Sequence, residues 1–270
     1  MSTFYAWVVP AYSSGSPVDH TWVTSYDSRQ HVYPDIAAVK GAKEAYWYCW
    51  GVFHPKGNIP GNTTGFIGSK DGDRTVADCL VLPNAESGSN SAARGTIFTY
   101  GIDGVCHQLA NQVLYATAAA GAPPLTVKAA RGYWLSIFLY GTYGLQYAAW
   151  QAKLHTCAGV KPMNGPPAGA EDRMAQLPDD FEAHAREVLA DKPELVAKLL
   201  SLRADVTSYA AQRMPRFFPP DAYFLNARNQ HLIAQAAALL DADDFRKIFG
   251  IDPGERIDIV DPTILNQSKE

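Results

Sequence analysis

The residue best placed to do chemistry is Cys106, in Gly101-Ile102-Asp103-Gly104-Val105-Cys106-His107-Gln108-Leu109-Ala110-Asn111-Gln112. A glycine-bracketed turn runs there into a helix-forming stretch, so the cysteine falls in a first helical turn. Free backbone N–H groups and the positive end of the helix dipole lie at that position. Both favour thiolate over thiol, and thiolate is the form that attacks a carbonyl carbon. A cysteine nucleophile also needs a proton acceptor, and histidine titrates in the right range.

Seven histidines compete for that role. His20 lies in Val18-Asp19-His20-Thr21-Trp22-Val23, at the start of a strand-like run. His31 follows across the turn signal Tyr26-Asp27-Ser28-Arg29. In an antiparallel hairpin turning between Ser25 and Tyr26, His20 and His31 stand opposite one another and share a face. One imidazole then orients the other, as a carboxylate or amide does in a triad. Register decides this, and the sequence leaves register open. His107 adjoins Cys106 but points about 100° away round the helix, so it suits pocket lining better than proton transfer. His54 is a second-choice partner. His155, His184 and His231 fall in the helical half and suit surface roles.

Trp22 and Trp50 join His107 as candidate substrate-binding residues. The run Tyr46-Trp47-Tyr48-Cys49-Trp50 reads first as a strand buried on both faces, and second as a wall for apolar or sugar ligands. Cys49, Cys79 and Cys157 read as small core residues. His20, His31 and Cys106 would also suit a catalytic zinc with an open position. That is the weakest of three readings, and the lack of a C-x-x-C pair among the four cysteines argues against a zinc ribbon. The expectation is no metal and no other cofactor.

These residues need a scaffold. The first hundred positions are rich in aromatic and β-branched residues separated by Gly, Pro, Asn, Asp and Ser. Strands are predicted at Phe4–Val9, His20–Ser25, His31–Tyr33, Tyr46–Phe53, Thr75–Val81 and Thr96–Tyr100. Ile36–Glu44 suggests a short helix, and Ala85–Gly95 a Ser/Asn/Gly loop. Helices are predicted at Val105–Ala120 and Tyr133–Lys153. Lys161–Asp180 is rich in proline and glycine and reads as a linker or ordered arm. Beyond it come helices at Phe181–Asp191, capped by Asp179 or Asp180, at Pro193–Arg213, from Asp221 through Leu240, and at Asp243–Phe249, ended by Gly250. The tail after Pro253 reads as extended. The fold class is α+β, with a β-rich core and nucleophile helix over 1–160, a linker over 161–180 and a helical region packed on the core over 181–270.

The chain has 270 residues, 47% of them hydrophobic, and a net charge of −4. A sizeable core follows, and wholesale disorder does not. No Lys/Arg run offers a nucleic-acid footprint. The N-terminus lacks a basic, apolar leader, and no apolar run reaches the roughly 20 residues that span a bilayer. The expectation is a soluble cytoplasmic protein, with signal-less export left open.

The order of strand histidine, second histidine, then a cysteine opening a helix resembles the permuted papain-like fold. Lecithin–retinol acyltransferase, its phospholipase relatives and bacterial cell-wall amidase relatives share that fold. His20, His31 and Cys106 match its three positions in order and approximate spacing. Cys106-His107-Gln108 is similar to the family's Asn-Cys-Glu-His, with Val105 in place of the asparagine and the histidine one place early. The resemblance covers roughly Pro17 to Ala120. It implies a permuted papain-like α+β core and a Cys-His dyad or triad. The implied activity is that of a cysteine hydrolase or acyltransferase acting on an ester, thioester or amide. An acyl-enzyme would be released by water or an amine, with the Cys106 N–H helping to hold the oxyanion. The competing expectation is a non-catalytic binding or scaffold protein that docks a protein partner through its helical C-terminal region.

Overall fold

The computed structural model describes residues 2–10, 18–27, 47–50, 65–72, 85–87, 99–117, 124–146, 149, 179–211 and 220–267. His31, His54, His155, Cys79 and Cys157 lie outside them. So do Ile36–Glu44, Thr75–Val81 and positions 161–178 of the expected linker.

Five strands form one antiparallel sheet: β1 (Ser2–Pro10), β2 (Asp19–Thr24), β3 (Trp47–Trp50), β4 (Gly65–Gly72) and β5 (Ala85–Ser87). Their spatial order is β4-β1-β2-β3-β5. Together with the helices below this is a mixed α+β fold. The β1–β2 register sets Trp7 opposite Trp22 and Val9 opposite His20, and Val23 of β2 pairs Tyr48 of β3. Side chains alternate across a strand, so each strand serves two faces. One face sends Phe4, Ala6, Val23, Tyr48 and Trp50 into the main core. The other gathers Trp7, Val9, Trp22, Trp47 and Cys49 into a second apolar cluster.

Two strands depart from the sequence expectation. Ala85–Ser87 was expected in a loop, but it pairs with β3. β4 was not anticipated, because Gly65-Phe66-Ile67-Gly68-Ser69-Lys70-Asp71-Gly72 carries three glycines and little apolar alternation. It is a terminal strand of the sheet order, where one face and one edge need less apolar surface.

Seven helices are described: α1 (Cys106–Thr117), α2 (Tyr133–Tyr140), α3 (Asp180–Val188), α4 (Pro193–Ala211), α5 (Ala222–Leu239), α6 (Ala242–Phe249) and α7 (Pro262–Gln267). Asp179, Asp221 and Asp241 cap α3, α5 and α6 by accepting first-turn N–H groups,. Within the expected helix Tyr133–Lys153, α2 ends at Tyr140 and positions 141–146 are not helical, Ala149 is helical again, and positions 147, 148 and 150–153 lie outside the described residues. Gly141 follows α2 with φ 76°, a left-handed value at which a glycine ends a helix cheaply,. The tail after Pro253, expected extended, contains α7. Its signal, Asp261-Pro262, is an N-cap followed by proline in the first turn.

The main hydrophobic core runs from Phe4 in β1 to Leu265 in α7. Within it α1 covers the sheet, and α2, almost wholly apolar, is surrounded by the later helices. Phe138, Phe181 and Phe249 meet there with ring centroids 5.4–6.0 Å apart. No helix among the described residues is long and apolar enough to cross a membrane.

Candidate active site

Cys106 is the first residue of α1. The turn before it closes with Gly101 N–H donating to Gly104 O at 2.8 Å, and the Asp103 carboxylate accepts Thr99 N–H at 2.8 Å. Val105, at the N-cap, has no side-chain acceptor to offer. Gln108 supplies the compensating half of a capping box, its Oε1 accepting Val105 N–H at 2.9 Å,. The cysteine therefore opens the helix as the sequence implies.

Its sulfur faces β2. The backbones of Thr21 and His107 lie close enough to favour its thiolate, while the Thr21 hydroxyl is buried with no hydrogen-bond partner among the described residues,. The Asp19 carbonyl lies 3.9 Å away. Yet the thiol is only 5% exposed. Burial outweighs these backbone groups, and with the nearby Asp261 charge it pushes the thiol up to about 11. This is opposite to the acidic thiol that the helix start alone suggests, because desolvation costs more than a few N–H groups return.

A cavity of about 10 Å³, roughly the room of one water, adjoins the sulfur,. Its walls come from β2 and its approach (Asp19, His20, Val18), from Tyr100, and from the C-terminal segment (Asp258, Ile259, Asp261, Ile264). Asp261 caps α7, accepting Thr263 N–H at 2.7 Å, and its own N–H donates to Tyr100 Oη at 3.1 Å. Burial, then the neighbouring thiol, keeps the Tyr100 phenol well above its ordinary value.

The expected histidine partners are arranged differently. His20 contributes to the cavity wall, but its ring lies on the sheet face away from α1. There Nε2 is 3.2 Å from Cys49 Sγ and the ring stacks on Trp22 at 5.8 Å. The Cys49 thiol donates to Trp50 O at 3.3 Å, which leaves the imidazole N–H as donor to sulfur. Burial first, and the nearby His107 second, bring His20 down to about 3. Strand alternation explains the placement: Asp19 and Thr21 share the face toward α1, and His20 and Trp22 share the other. His31 lies outside the described residues.

His107 does not line the cavity. It is fully buried, with Nε2 3.0 Å from Asp19 O and Nδ1 2.8 Å from Ser136 Oγ. A carbonyl only accepts, so Nε2 carries the hydrogen, while the Ser136 hydroxyl beside Nδ1 also donates to Tyr133 O at 2.8 Å,. Burial brings this imidazole down to about 4, so it is neutral. Trp22 belongs to the second cluster and Trp50 to the main core, packed edge-on to Tyr100 at 5.2 Å. Neither reaches the cavity.

Behind the sulfur, α1 carries a row of buried amides. Gln108, Asn111 and Gln112 donate in turn to the carbonyls of Gly141, Thr142 and Tyr143 at 3.0, 2.9 and 2.7 Å. Asn111 also donates to Tyr133 Oη and accepts Val127 N–H, both at 3.0 Å. The row ties α1 to α2 and the loop after it.

Thr21, Tyr100 and Asp261 were not singled out by sequence reasoning. Thr21 was available from alternation once a facing helix is assumed, and Asp261 from its capping signal. Tyr100 carried none. The described residues contain no cluster of three or more potential metal ligands. No family model, curated protein or solved structure matches the chain.

Proposed function

We propose that this chain is a thiol-dependent hydrolase or acyltransferase with Cys106 as nucleophile toward an ester, thioester or amide carbonyl. One observation carries the reading: Cys106 is the first residue of a helix, with the backbones of Thr21 and His107 near its sulfur and favouring its thiolate,. That is the environment in which a thiolate is held once water or substrate relieves burial. The order of His20, His31 and Cys106, which resembles the permuted papain-like arrangement, supports the same reading. Sulfur attacks the carbonyl carbon, the oxyanion collapses to an acyl-thioester, and the alcohol, thiol or amine leaves with a proton. Water or an amine then takes the acyl group. Use of His20 as the base requires its ring to leave Cys49.

A second reading, a binding or scaffold protein with a helical docking region, is favoured by the small cavity and by a thiol near 11. The two separate in one experiment. The protein is mixed with a p-nitrophenyl ester and with an acyl thioester, quenched, and mapped by mass spectrometry. An acyl adduct on Cys106, lost in Cys106→Ala with unchanged circular dichroism, supports catalysis. No adduct from either donor across pH 6–10 leaves the scaffold reading.

A further inference from the structure

We infer that the C-terminal segment from Ile257 to Leu265 is an inhibitory strap over the Cys106 thiol, and that releasing it activates the site. The inference rests on the thiol reading above and concerns its regulation. The cavity beside the sulfur has room for about one water, too little for any acyl group,. Chemistry at Cys106 therefore requires one wall to move. Two of the walls are fixed. α1 is keyed by its amide row to the loop after α2, and β2 is paired with both β1 and β3.

Tyr100 is held in the main core against Trp50, and the wall left to move is the strap. Ile259, Asp261 and Ile264 are 3%, 4% and 2% exposed and close over the sulfur. Before Pro262 the segment has no helix or strand of its own. Discrete brackets hold it. Asn226 of α5 donates to Val260 O at 2.8 Å and accepts Val260 N–H at 2.9 Å. Gln230 accepts Ile257 N–H at 3.2 Å, and Tyr100 accepts Asp261 N–H at 3.1 Å.

The strap opposes the thiolate twice. Its isoleucines exclude water, and Asp261 adds a negative charge. The other titratable groups around the sulfur are Tyr100, Asp19 and His20 in the cavity wall, Asp258 on the strap itself, and His107 on α1. Among the described residues, no lysine or arginine is in the cavity walls to offset Asp261. The backbone groups of Thr21 and His107 that favour the thiolate belong to β2 and α1 and remain when the strap leaves. Removing it takes away what holds the proton and keeps what stabilises the anion.

The test uses the full chain and counts iodoacetamide adducts at Cys106 and Cys49 by peptide mapping. Cys49 is fully buried behind the sheet and reports general unfolding. Asn226→Ala unlatches the strap and removes a reciprocal pair of buried hydrogen bonds. It is expected to speed Cys106 alkylation by about tenfold or more, with Cys49 unchanged. Asp261→Asn keeps a capping side chain and removes the charge. It is expected to move the Cys106 pH–rate profile down by about half a unit or more. Equal acceleration at both cysteines in Asn226→Ala, or none at either, overturns the strap. So does a Cys106 profile unmoved in Asp261→Asn. Selective unlatching with no acyl adduct in Asn226→Ala would leave the strap standing and remove the hydrolase reading. Acyl adducts forming equally fast in Asn226→Ala and the parent chain would do the reverse.

Discussion

Mild acid should weaken this fold steeply, and the size of the effect follows from two buried imidazoles. His20 and His107 are held neutral, near 3 and 4, chiefly by burial. In an unfolded chain each returns to about 6.5. A folded-state value below the unfolded one contributes stability that is present above the unfolded pKa and lost as pH falls toward the folded one. At pH 7 either form is mostly neutral and little is lost. At pH 5 the unfolded imidazoles are nearly all protonated while the folded ones are not. Each then costs about 2 kcal/mol relative to pH 7, and the pair about 4 kcal/mol. That is a large share of the roughly 5–15 kcal/mol typical of a domain. Urea unfolding at pH 7, 6 and 5, followed by tryptophan fluorescence, reads this directly. Stability should fall by about 4 kcal/mol over the range, with a limiting slope near two protons. His107→Gln, which removes one of the two groups, should roughly halve the slope whatever it costs at pH 7. A flat profile, or an imidazole resonance in the folded protein titrating near 6.5 in both positions, would refute the burial argument.

The unlabelled thiol gives a second measurement. With Cys106 near 11, its alkylation in the parent chain should climb about tenfold per pH unit from 7 to 10, and a plateau near neutrality would contradict its burial,. Asn111→Ala should cost about 3 kcal/mol in urea unfolding. It strands Thr142 O and Val127 N–H in the core; a loss under about 1 kcal/mol would mean water takes their place,. Gly132→Ala should cost about 2 kcal/mol or more. Gly132 has φ 79°, and an added Cβ would sit 2.7 Å from Val18 Cγ2,. Pairing it with Val18→Ala should recover only the contact part of the loss, and full recovery would show that the backbone angle costs nothing. Asp221→Ala should remove about 1 kcal/mol through the N-cap of α5, and an unchanged melting point would show that water caps the helix as well,.

Much of the helical half was legible because its punctuation is strong. Asp179, Asp221, Pro193 and Gly250 mark ends by mechanisms local to a few residues. Two edges of the sheet were not legible. β4 is made of glycine and short polar residues, and β5 is three residues in a Ser/Asn/Gly tract, so neither carries a period-2 apolar pattern. The site divides in the same way. Cys106 at a helix start follows from the turn before it and the helix-forming run after it. The facing of His20 does not, because β2 is buried on both sides. Alternation separates Asp19 and Thr21 from His20 and Trp22, but both sets are dehydrated, and nothing in the string says which side receives the helix. The thiol was misjudged for a related reason. A helix dipole can be read from sequence, whereas its burial under Ile259 and Ile264 involves residues about 150 positions away.

The three carbonyls from Gly141 to Tyr143, read by Gln108, Asn111 and Gln112, make α1 an indexed shaft. Rotating it by one residue would disengage every tooth together, so intermediate settings have no stable stop. Mutational drift on this helix must therefore be concerted with the loop it meshes with. A designer wishing to re-aim the sulfur would have to recut both parts of the gear.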